Sequence, residues 1–573
     1  MIMPCAELMR VRSGFAEHWW AEQAHKLYWQ TPFTKVMERI DGGPRCLWFA
    51  DGTTNLCYNA LDRHLPEKGA QTALIHCAYD GQEQHFSYYE LHREVQALSW
   101  ELRERGVRPG DRVLICLPAI PQAAIAMLAC ARLGAVHVVV YSGMTLHSLA
   151  QRIIASEAKV IISYQQRRGQ QPLPPLTEAC ELAGQNMDAL MWLDSDDYAE
   201  ARARVIDQPL ACHFQSAAAP SHLLYTSGTT GQPKGIVRDT GGYAVALLAS
   251  MEKLFRLGEE EVIFTSADIG WVTGHSYGIY APLLAGITTL MVEASPLNKP
   301  GKRWWQLIAR HKVTRLLTIP GAMRLARQAE KEQGVCITYL RGVFLAGEPL
   351  DAPTRQWVSE RTGAPVEDHY WQTESGWPLL AGIEGRLQPV EPREVAVVNP
   401  ETGTDCVTGE PGVLLVRNTL GPGGMLTLWK NDPEHDQLYW RLIEGEWWYC
   451  THDQAVRTEN NSLRILGRMD DVINIGGKRL STSEVEQAVI PIGSVAEVAA
   501  VGIAHSLLGQ MVALYVVTPL YNKQALKTLK REITTEIVRK CGRHALPRHI
   551  VFVSQLPRTF SGKIMRNQLE KCG

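Results

Sequence analysis

The chain has 573 residues, of which 45% are hydrophobic and 21% are charged, which is ordinary for a globular protein. This length exceeds what one hydrophobic core supports, so at least two domains are expected. The 58 basic and 60 acidic residues leave a net charge of −2, which argues against a dedicated surface for nucleic acid or for an anionic membrane. Small molecules are therefore the expected partners.

Cysteine usage and the N-terminus predict a reduced, cytoplasmic protein. The 13 cysteines show neither CxxC nor the Cys/His spacing of a metal site, and Cys116 and Cys130 lie in apolar runs. Residues 1–20 lack the apolar core of a signal peptide. The most apolar stretch, Ala123 to Tyr141, is interrupted by Arg132 and splits better into a helix and a strand than into a membrane span. We therefore expect free thiols and no zinc.

The elements that follow alternate between helix and strand. Residues 1–68 have weak periodicity and predict an irregular arm packed on a larger domain. Ser87 and Glu90 then form a capping box that starts an amphipathic helix, which Gly106 ends. Later units alternate in the same way, which predicts a largely parallel sheet. Expected strands lie at Val113 to Leu117, Val136 to Val140, Val160 to Ser163, Val262 to Ser266, Leu316 to Ile319 and Gly342 to Leu345.

Beyond Val395 the pattern changes to short strands and turns, which predicts a small β subdomain at the end of a large domain spanning residues 69–467. The run Gly467 to Asp471 reads as a polar joint. Residues 468–573 then predict a compact α+β unit with a long charged helix from Lys523 to Lys540. The predicted fold class is α/β: a large N-terminal α/β domain of several subdomains followed by a small α+β C-terminal domain.

One stretch, Tyr225-Thr-Ser-Gly-Thr-Thr-Gly-Gln-Pro-Lys234-Gly235, concentrates glycines, hydroxyls and one lysine. Glycines let backbone N–H groups approach phosphate oxygens, and Lys234 supplies a compact positive charge. The stretch is not a Walker loop, because that motif ends in Gly-Lys-Ser/Thr at the start of a helix. A flexible surface linker is the plainer interpretation. The buried strand predicted just before the stretch favours a loop that binds nucleotide phosphates.

Three further polar or glycine-rich segments follow predicted strands, where open α/β sheets place their binding sites. They are Ala267-Asp-Ile-Gly-Trp-Val-Thr-Gly-His-Ser-Tyr277, Ala346-Gly-Glu-Pro349 and Asp368-His-Tyr-Trp-Gln-Thr-Glu-Ser-Gly376. All three are predicted to be loops.

Together these motifs resemble those of the adenylate-forming, AMP-dependent synthetase and ligase superfamily, in particular its short-chain acyl-CoA synthetases. The resemblance spans nearly the whole chain, starting with Tyr28-Trp-Gln-Thr-Pro-Phe-Thr34 and Asn55-Leu-Cys-Tyr-Asn59. The runs Arg238 to Tyr243 and Tyr370 to Trp377 look most like those of propionate-activating members, with acetate-activating members next. The resemblance implies a two-step reaction that uses ATP, Mg²⁺ and CoA: a carboxylate and ATP give acyl-AMP and pyrophosphate, and CoA then displaces AMP.

The resemblance also implies roles for the matching residues. Lys563 resembles the catalytic lysine of adenylation, and Glu374 resembles the magnesium ligand. Asp470 resembles the hinge about which the mobile C-terminal domain rotates, bringing in first Lys563 and then the loop at Gly476 and Gly477. Relatives also make Lys563 a candidate target of lysine acylation and deacylation enzymes. The implied ATP and AMP contacts are Thr226, Ser227, Gly228, Thr229, Thr230, Lys234, Gly347, Glu348, Pro349, Asp368, His369, Tyr370, Trp371, Gln372, Thr373, Asp453, Arg468 and Arg479.

Pocket size argues for a small acid. The candidate walls of the acyl pocket are Trp271, Val272, Thr273 and Trp371, and an indole at Trp371 would block a long acyl tail. Ala346 replaces a valine that is typical of acetate enzymes, so the resemblance implies a roomier pocket and a preference for propionate over acetate. Ordinary core packing is the alternative for these aromatic residues. The candidate CoA contacts are Arg168, Thr273, Gly476, Gly477 and Arg539, with Arg479 as a further contact from the small domain.

The chain also departs from the family pattern, and alternatives stay open. His452 stands where the family has glycine before Asp453, which puts the setting of that aspartate in doubt. Tyr141-Ser-Gly-Met144 and Gly321-Ala-Met-Arg324 also differ. The same chemistry could act on acrylate, butyrate or a small hydroxy acid. A nucleotide-binding homologue without turnover is a different class, and the retained set of Lys234, Glu374, Asp453, Arg468 and Lys563 argues against it.

Overall fold

The structure is a computed structural model. It describes residues 16–141, 143–165, 174–227, 233–258, 260–293, 302–329, 337–383, 386–390, 392–469, 472–475, 478–505, 509–558 and 564–570.

The strands of the described residues are β1 (Met37–Arg39), β2 (Cys46–Trp48), β3 (Thr53–Thr54), β4 (Thr72–Cys77), β5 (Glu83–Ser87), β6 (Arg112–Ile115), β7 (Val136–Val139), β8 (Val160–Ser163), β9 (Leu190–Trp192), β10 (Gln215–Ser216), β11 (Pro220–Ser227), β12 (Pro233–Asp239), β13 (Val262–Thr265), β14 (Thr288–Val292), β15 (Arg315–Thr318), β16 (Gly342–Ala346), β17 (Val366–Tyr370), β18 (Leu380–Ile383), β19 (Arg386–Pro389), β20 (Val395–Val398), β21 (Pro411–Arg417), β22 (Thr427–Leu428), β23 (Trp440–Ile443), β24 (Glu446–Arg457), β25 (Leu463–Arg468), β26 (Val472–Ile475), β27 (Lys478–Ser481), β28 (Glu497–His505), β29 (Gly509–Val517) and β30 (His549–Val553).

The α-helices are α1 (16–24), α2 (Leu56–Ala60), α3 (Leu65–Lys68), α4 (Tyr88–Glu104), α5 (Pro121–Leu133), α6 (Leu146–Ser156), α7 (Leu176–Ala183), α8 (Asp196–Val205), α9 (Gly241–Lys253), α10 (Val272–His275), α11 (Ala281–Leu284), α12 (Lys302–Arg310), α13 (Pro320–Ala329), α14 (Ala352–Thr362), α15 (Asp432–Tyr439), α16 (Thr482–Val489), α17 (Lys523–Cys541) and α18 (Arg566–Glu570). None of the helices in the described ranges has the length and apolar character to cross a membrane.

Two large sheets form the body of the protein. A seven-stranded sheet runs in the order β22-β12-β11-β7-β6-β8-β9, and a fourteen-stranded sheet contains the parallel series β4-β14-β13-β15-β16-β17. Every residue of β7, β8 and β15 is buried, as expected for strands covered on both faces by helices. The predicted α/β class with a largely parallel centre is confirmed.

Local sequence signals fix several boundaries. The predicted capping box is present: Glu90 N donates to Ser87 Oγ, while the Glu90 carboxylate accepts from Ser87 N at 2.8 Å. The helix α4 that it starts ends before Gly106, which has a φ of 80°. The predicted strand Val160 to Ser163 is β8.

The short strands after Val395 continue the large sheet instead of forming a sheet of their own. β20, β21, β24 and β25 pair antiparallel with one another and join the rest of the sheet through the pair Leu387↔Leu463 between β25 and β19, which is also antiparallel. They nevertheless have their own core around Leu414 and Tyr449, as a small β subdomain would.

The chain after Arg468 forms a separate five-stranded sheet of β26 to β30. α16 and α17 cover this sheet around Leu514 and Ile533, both buried. This matches the predicted α+β unit, and the boundary at residues 467 and 468 stays a prediction.

Residues 16–68 are more structured than predicted. They contain α1 and several short elements, and Trp20, Leu56 and Cys57 are buried in the main core. Weak periodicity is expected here, because short elements contact the core with isolated side chains instead of a continuous face. The cysteines that the structure describes are free thiols.

Candidate active site

The predicted phosphate loop is largely a β-hairpin. β11 continues to Ser227 and β12 begins at Pro233, with Thr226 paired antiparallel to Lys234. Only residues 228–232 separate the two strands, and they lie outside the described residues. The prediction that Lys234 lies in a loop is wrong, because Lys234 belongs to β12 and pairs with Thr226 of β11.

Lys234 is buried and faces a carboxylate. Its side chain is 8% exposed, and Nζ lies 2.9 Å from Glu434 Oε1. Glu434 is in the first turn of α15, whose N-cap Asn431 accepts a hydrogen bond from Glu434 N. A Cβ on Gly235 would lie 3.0 Å from Trp429 Cβ, so glycine lets the strand pass close to that residue. The buried ammonium is therefore paired with a carboxylate.

Glu374 lies in a tight turn after β17. Gln372 N donates to Ser375 Oγ at 3.1 Å, and Ser375 N donates to Gln372 O at 3.2 Å. Gly376 has a φ of +75°, and a Cβ there would lie 2.1 Å from Gly423 O. This turn therefore requires glycine after Glu374-Ser375.

Two neighbours hold Glu374 in place. Fully buried Arg238, on β12, donates to the carbonyls of Thr373 and Glu374. The Tyr439 hydroxyl donates to Glu374 Oε1 at 2.9 Å. The carboxylate thus lies beside the hairpin and beside α15, which also carries the partner of Lys234.

Asp453 is at the centre of a hydrogen-bond network. It is 6% exposed, and its Oδ2 accepts from the Tyr370 hydroxyl and from Gln372 Nε2, the latter at 2.6 Å. Arg468, its cross-strand neighbour, places Nη1 3.6 Å from Asp453 Oδ1 and donates to Thr451 O at 3.1 Å. Burial raises the pKa of Asp453, although Arg468 and the two hydrogen bonds oppose this shift. The predicted ribose-binding acid and its companion arginine are therefore adjacent.

His452 stands before Asp453, where the family has glycine, and its backbone conformation explains how the chain accommodates it. Its φ of 56° shows that the position requires the left-handed conformation that glycine adopts most easily. His452 Nε2 lies at hydrogen-bond distance, 3.0 Å, from Leu438 O near the end of α15. His452 therefore adopts the left-handed conformation itself and adds a contact to the helix that carries Glu434.

Replacing His452 with valine is expected to destabilise the protein by about 1–3 kcal/mol relative to His452→Gly, because a β-branched residue is strained at positive φ. Urea denaturation measures the difference. His549→Val is the matched control, since His549 is exposed on β30, where valine is favoured. Equal losses for the valine and glycine variants would mean that the imidazole contact, not backbone strain, sets the stability.

The predicted acyl-pocket segments lie together at the carboxyl ends of the parallel strands of the large sheet. β13, β15, β16 and β17 are adjacent and parallel, so the segments after their carboxyl ends lie together. Ala346 is buried at the end of β16, and Trp371, just after β17, packs edge-on against Tyr277 with ring centroids 5.5 Å apart. Trp271, 37% exposed, is the N-cap of α10. The first two residues of α10 are Val272 and Thr273.

The seven-stranded sheet approaches the same carboxyl ends. A Cβ on Gly270 would lie 2.9 Å from Tyr141 N, so the segment before α10 packs tightly against the chain that leaves β7. Glycine at this position therefore lets the segments after β13 and β7 approach each other closely.

The segment Asp368 to Gly376 begins as strand instead of loop. Asp368, His369 and Tyr370 belong to β17, where successive side chains point to opposite faces. The His369 ring is buried against Phe255 and Phe344, with ring centroids 5.6 and 5.3 Å apart. The predicted nucleotide contact of His369 is therefore not supported. Burial raises the pKa of Asp368 to about 6.

The Gly347-Glu348-Pro349 segment is held by Arg324, which belongs to one of the motifs that differ from the family pattern. Gly347 has a φ of 93°, and the Glu348 carboxylate pairs with Arg324 on α13. Arg324 also donates to Asp351 at 2.9 Å. Pro349 lies between these two acids.

The remaining predicted site residues stay predictions. Arg539 is exposed on α17, where it pairs with Glu536, and Arg479 lies on β27. Outside the described residues lie Arg168, Gly228, Thr229, Thr230, Asp470, Gly476, Gly477 and Lys563.

Sequence reasoning missed Glu434 and Tyr439, which contact Lys234 and Glu374. The run Asn431-Asp-Pro-Glu434 carries the signal of a helix start, an Asn cap followed by an early proline. That signal predicts α15. It does not predict that α15 packs beside the hairpin.

Comparison with known sequences identifies the family. A family described as "AMP-binding enzyme" matches residues 61–429, its C-terminal domain family matches residues 484–563, and "Acetyl-coenzyme A synthetase N-terminus" matches residues 15–60. The chain belongs to the AMP-binding enzyme family, and the resemblance seen in its motifs is confirmed.

Individual relatives cover almost the whole chain. Propionate–CoA ligases of Salmonella typhimurium and Escherichia coli are each 38% identical, covering 97% of this chain and 93% of the relative. An acetyl-coenzyme A synthetase of Bradyrhizobium diazoefficiens is 36% identical, covering 96% and 89%. The crystal structure of anthranilate CoA ligase AuaEII in complex with anthranoyl-AMP matches with a TM-score of 0.78 and 23% identity, covering 91% of this chain and 97% of that chain. This last match supports the fold.

Proposed function

We propose that the protein is an AMP-forming short-chain acyl-CoA synthetase. A small carboxylate attacks the α-phosphate of ATP, the bond to the leaving pyrophosphate breaks, and acyl-AMP forms. The CoA thiol then attacks the acyl carbonyl, and AMP leaves as the thioester forms. One observation carries the proposal. Lys234, Glu374 and the Asp453–Arg468 pair lie near the carboxyl ends of the parallel strands of the two sheets.

The described side chains divide the work of binding ATP. Lys234, now paired with Glu434, would exchange that carboxylate for a phosphate oxygen of the same charge sign. Asp453 would accept hydrogen bonds from the ribose hydroxyls, with Arg468 holding its orientation. A hard oxygen ligand such as Glu374, fixed by Tyr439, suits Mg²⁺, which when bound would neutralise phosphate charge.

We further propose that propionate is the preferred acid. Ala346 is the side chain on which this rests, because it is buried at the end of β16 beside the strand that leads to Trp371. A smaller residue here leaves room for an additional methylene, which in a matched apolar pocket is worth about 1–3 kcal/mol of discrimination.

The test compares catalytic efficiency for propionate and acetate in the wild type and in Ala346→Val. Propionate should be favoured by the wild type, and the variant should move the ratio about 10-fold or more toward acetate because valine fills the added space. The KM for ATP serves as the internal control and should not change. An acetate preference in the wild type would sink the choice of acid, while leaving the ligase reaction itself in place.

A further inference from the structure

We propose that Cys77, Glu83 and His311 form a zinc site beside edge strand β5 of the large sheet, on elements that carry none of the nucleotide or acyl residues. One ligand atom from each of the three side chains lies within 4.8 Å of the others. This site is independent of the proposed enzymatic function. It contradicts the expectation of no zinc drawn from the sequence.

Strand register brings the first two ligands together. Cys77, the last residue of β4, pairs directly with Glu83, the first residue of β5, so their side chains share one face of the hairpin. His311 follows α12 immediately, and α12 leads into β15 of the same sheet. Ligands separated by more than two hundred residues in sequence therefore meet in space. No short Cys/His motif reveals them.

The distances fit a tetrahedral zinc ion. Zinc–sulfur bonds of about 2.3 Å and zinc–nitrogen or zinc–oxygen bonds of about 2.0–2.2 Å at tetrahedral angles place sulfur about 3.6 Å from nitrogen, and nitrogen about 3.4 Å from oxygen. Cys77 Sγ lies 3.6 Å from His311 Nε2, and His311 Nε2 lies 3.5 Å from Glu83 Oε1. Both separations match edges of a coordination tetrahedron.

The charges and the burial of the ligands also suit a divalent cation. A thiolate and a carboxylate would balance the two positive charges of zinc, and the imidazole is a neutral ligand. The Cys77 and His311 side chains are nearly buried, whereas Glu83 is 23% exposed, so the ion has a path from solvent. The mixed sulfur, nitrogen and oxygen donors favour zinc over Mg²⁺ or Ca²⁺, which prefer oxygen alone.

Neighbouring side chains supply the rest of the site. Arg310 Nη1 donates to Glu83 Oε1 at 2.5 Å, which orients the carboxylate as outer-shell partners of metal ligands do. Exposed His85 is two residues along the same face, with its ring centroid 5.9 Å from that of His311. His85 or water would complete four-coordination. The ion would fasten edge strand β5 to the end of α12.

Two other donor clusters among the described residues are less suited to a cation. His137, His222 and His275 are fully buried and offer only neutral ligands, with the charge of Arg238 nearby. In the cluster of Cys57, Cys212 and Asp62, Arg132 bonds both oxygens of the Asp62 carboxylate, whereas Arg310 bonds one oxygen of Glu83.

The test uses the full-length protein, stripped with a chelator and titrated with Zn²⁺ or Co²⁺. We expect one zinc per chain by elemental analysis after dialysis, a thiolate-to-cobalt charge-transfer band with Co²⁺, and a higher melting temperature with zinc. Glu83→Gln should weaken zinc binding by at least the roughly 10–100-fold typical of outer-shell changes, and Cys77→Ala should remove the charge-transfer band.

Matched controls are Glu104→Gln, an exposed carboxylate on α4, and Cys180→Ala, a buried thiol on α7. Both should bind zinc as the wild type does. Glu83 is partly exposed and glutamine has nearly the same shape, so Glu83→Gln should fold. It therefore tests the site even if Cys77→Ala fails to fold. Absence of bound zinc in the wild type, or wild-type affinity in Glu83→Gln, would overturn the proposal.

Discussion

Replacing Lys563 with alanine is expected to lower the rate of acid adenylation by about 10²–10³-fold or more, the loss typical when one preorganised electrostatic group is removed from a transition state. The resemblance places its ammonium between the incoming carboxylate and the α-phosphate, where negative charge must be neutralised as the new bond forms. Acid-dependent exchange of pyrophosphate into ATP measures this half-reaction alone. Thioester formation from supplied acyl-AMP should stay largely intact, because that step does not need the lysine.

Lys527→Ala is the matched control for this experiment. Lys527 is an exposed lysine on α17, so its loss should change neither half-reaction. If Lys563→Ala abolished both half-reactions, the division of labour between the two orientations of the C-terminal domain would be wrong. If it left exchange unchanged, Lys563 would not be the catalytic lysine.

Replacing Asp453 with asparagine is expected to reduce kcat/KM for ATP by about 10–100-fold, the equivalent of a charge-assisted hydrogen bond worth about 1.5–3 kcal/mol. Asp453 is buried and accepts from Tyr370 and Gln372, so the amide would retain the shape of the site while losing its charge. The KM for ATP should rise, while the KM for the acid should change little.

The pH dependence separates loss of charge from simple misfolding. Because burial raises the pKa of Asp453, its carboxylate takes up a proton at a higher pH than an ordinary aspartate does. ATP affinity of the wild type should therefore fall on acidification, beginning above the usual aspartate range of about 4. Asp453→Asn should lack this fall, whereas Asp405→Asn, an exposed control, should show it unchanged. An identical pH profile in Asp453→Asn would contradict the assigned role.

Periodicity and caps were sufficient to predict most of the α/β body. The Val-rich runs of β7 and β8 read as buried strands because both faces of a parallel sheet are covered, and Ser87 with Glu90 marked the start of α4. Pairing between distant strands was beyond these signals. The antiparallel partner of β11 was missed because Pro233 and Gly235 read as loop residues, although both are tolerated in β12, whose pairing is completed by short β22.

The candidate site was predicted in its chemistry and only partly in its geometry. Motifs identified Lys234, Glu374, Asp453 and Arg468, and the structure brings the last two into contact. The contacts of Glu434 and Tyr439 depend on how α15 packs, which a local pattern does not encode. His369 lay inside a matching motif, but strand alternation turns its ring into the core.

The most direct test of the account is acid-dependent pyrophosphate–ATP exchange across C2 to C5 acids, repeated as thioester formation with CoA and Mg²⁺. The account predicts exchange with the short acids, strongest with propionate, and a propionyl-CoA product when CoA is added. Absence of exchange with every acid would contradict it and favour a nucleotide-binding protein without turnover. Exchange without thioester formation would mean that the acyl group goes to a different acceptor.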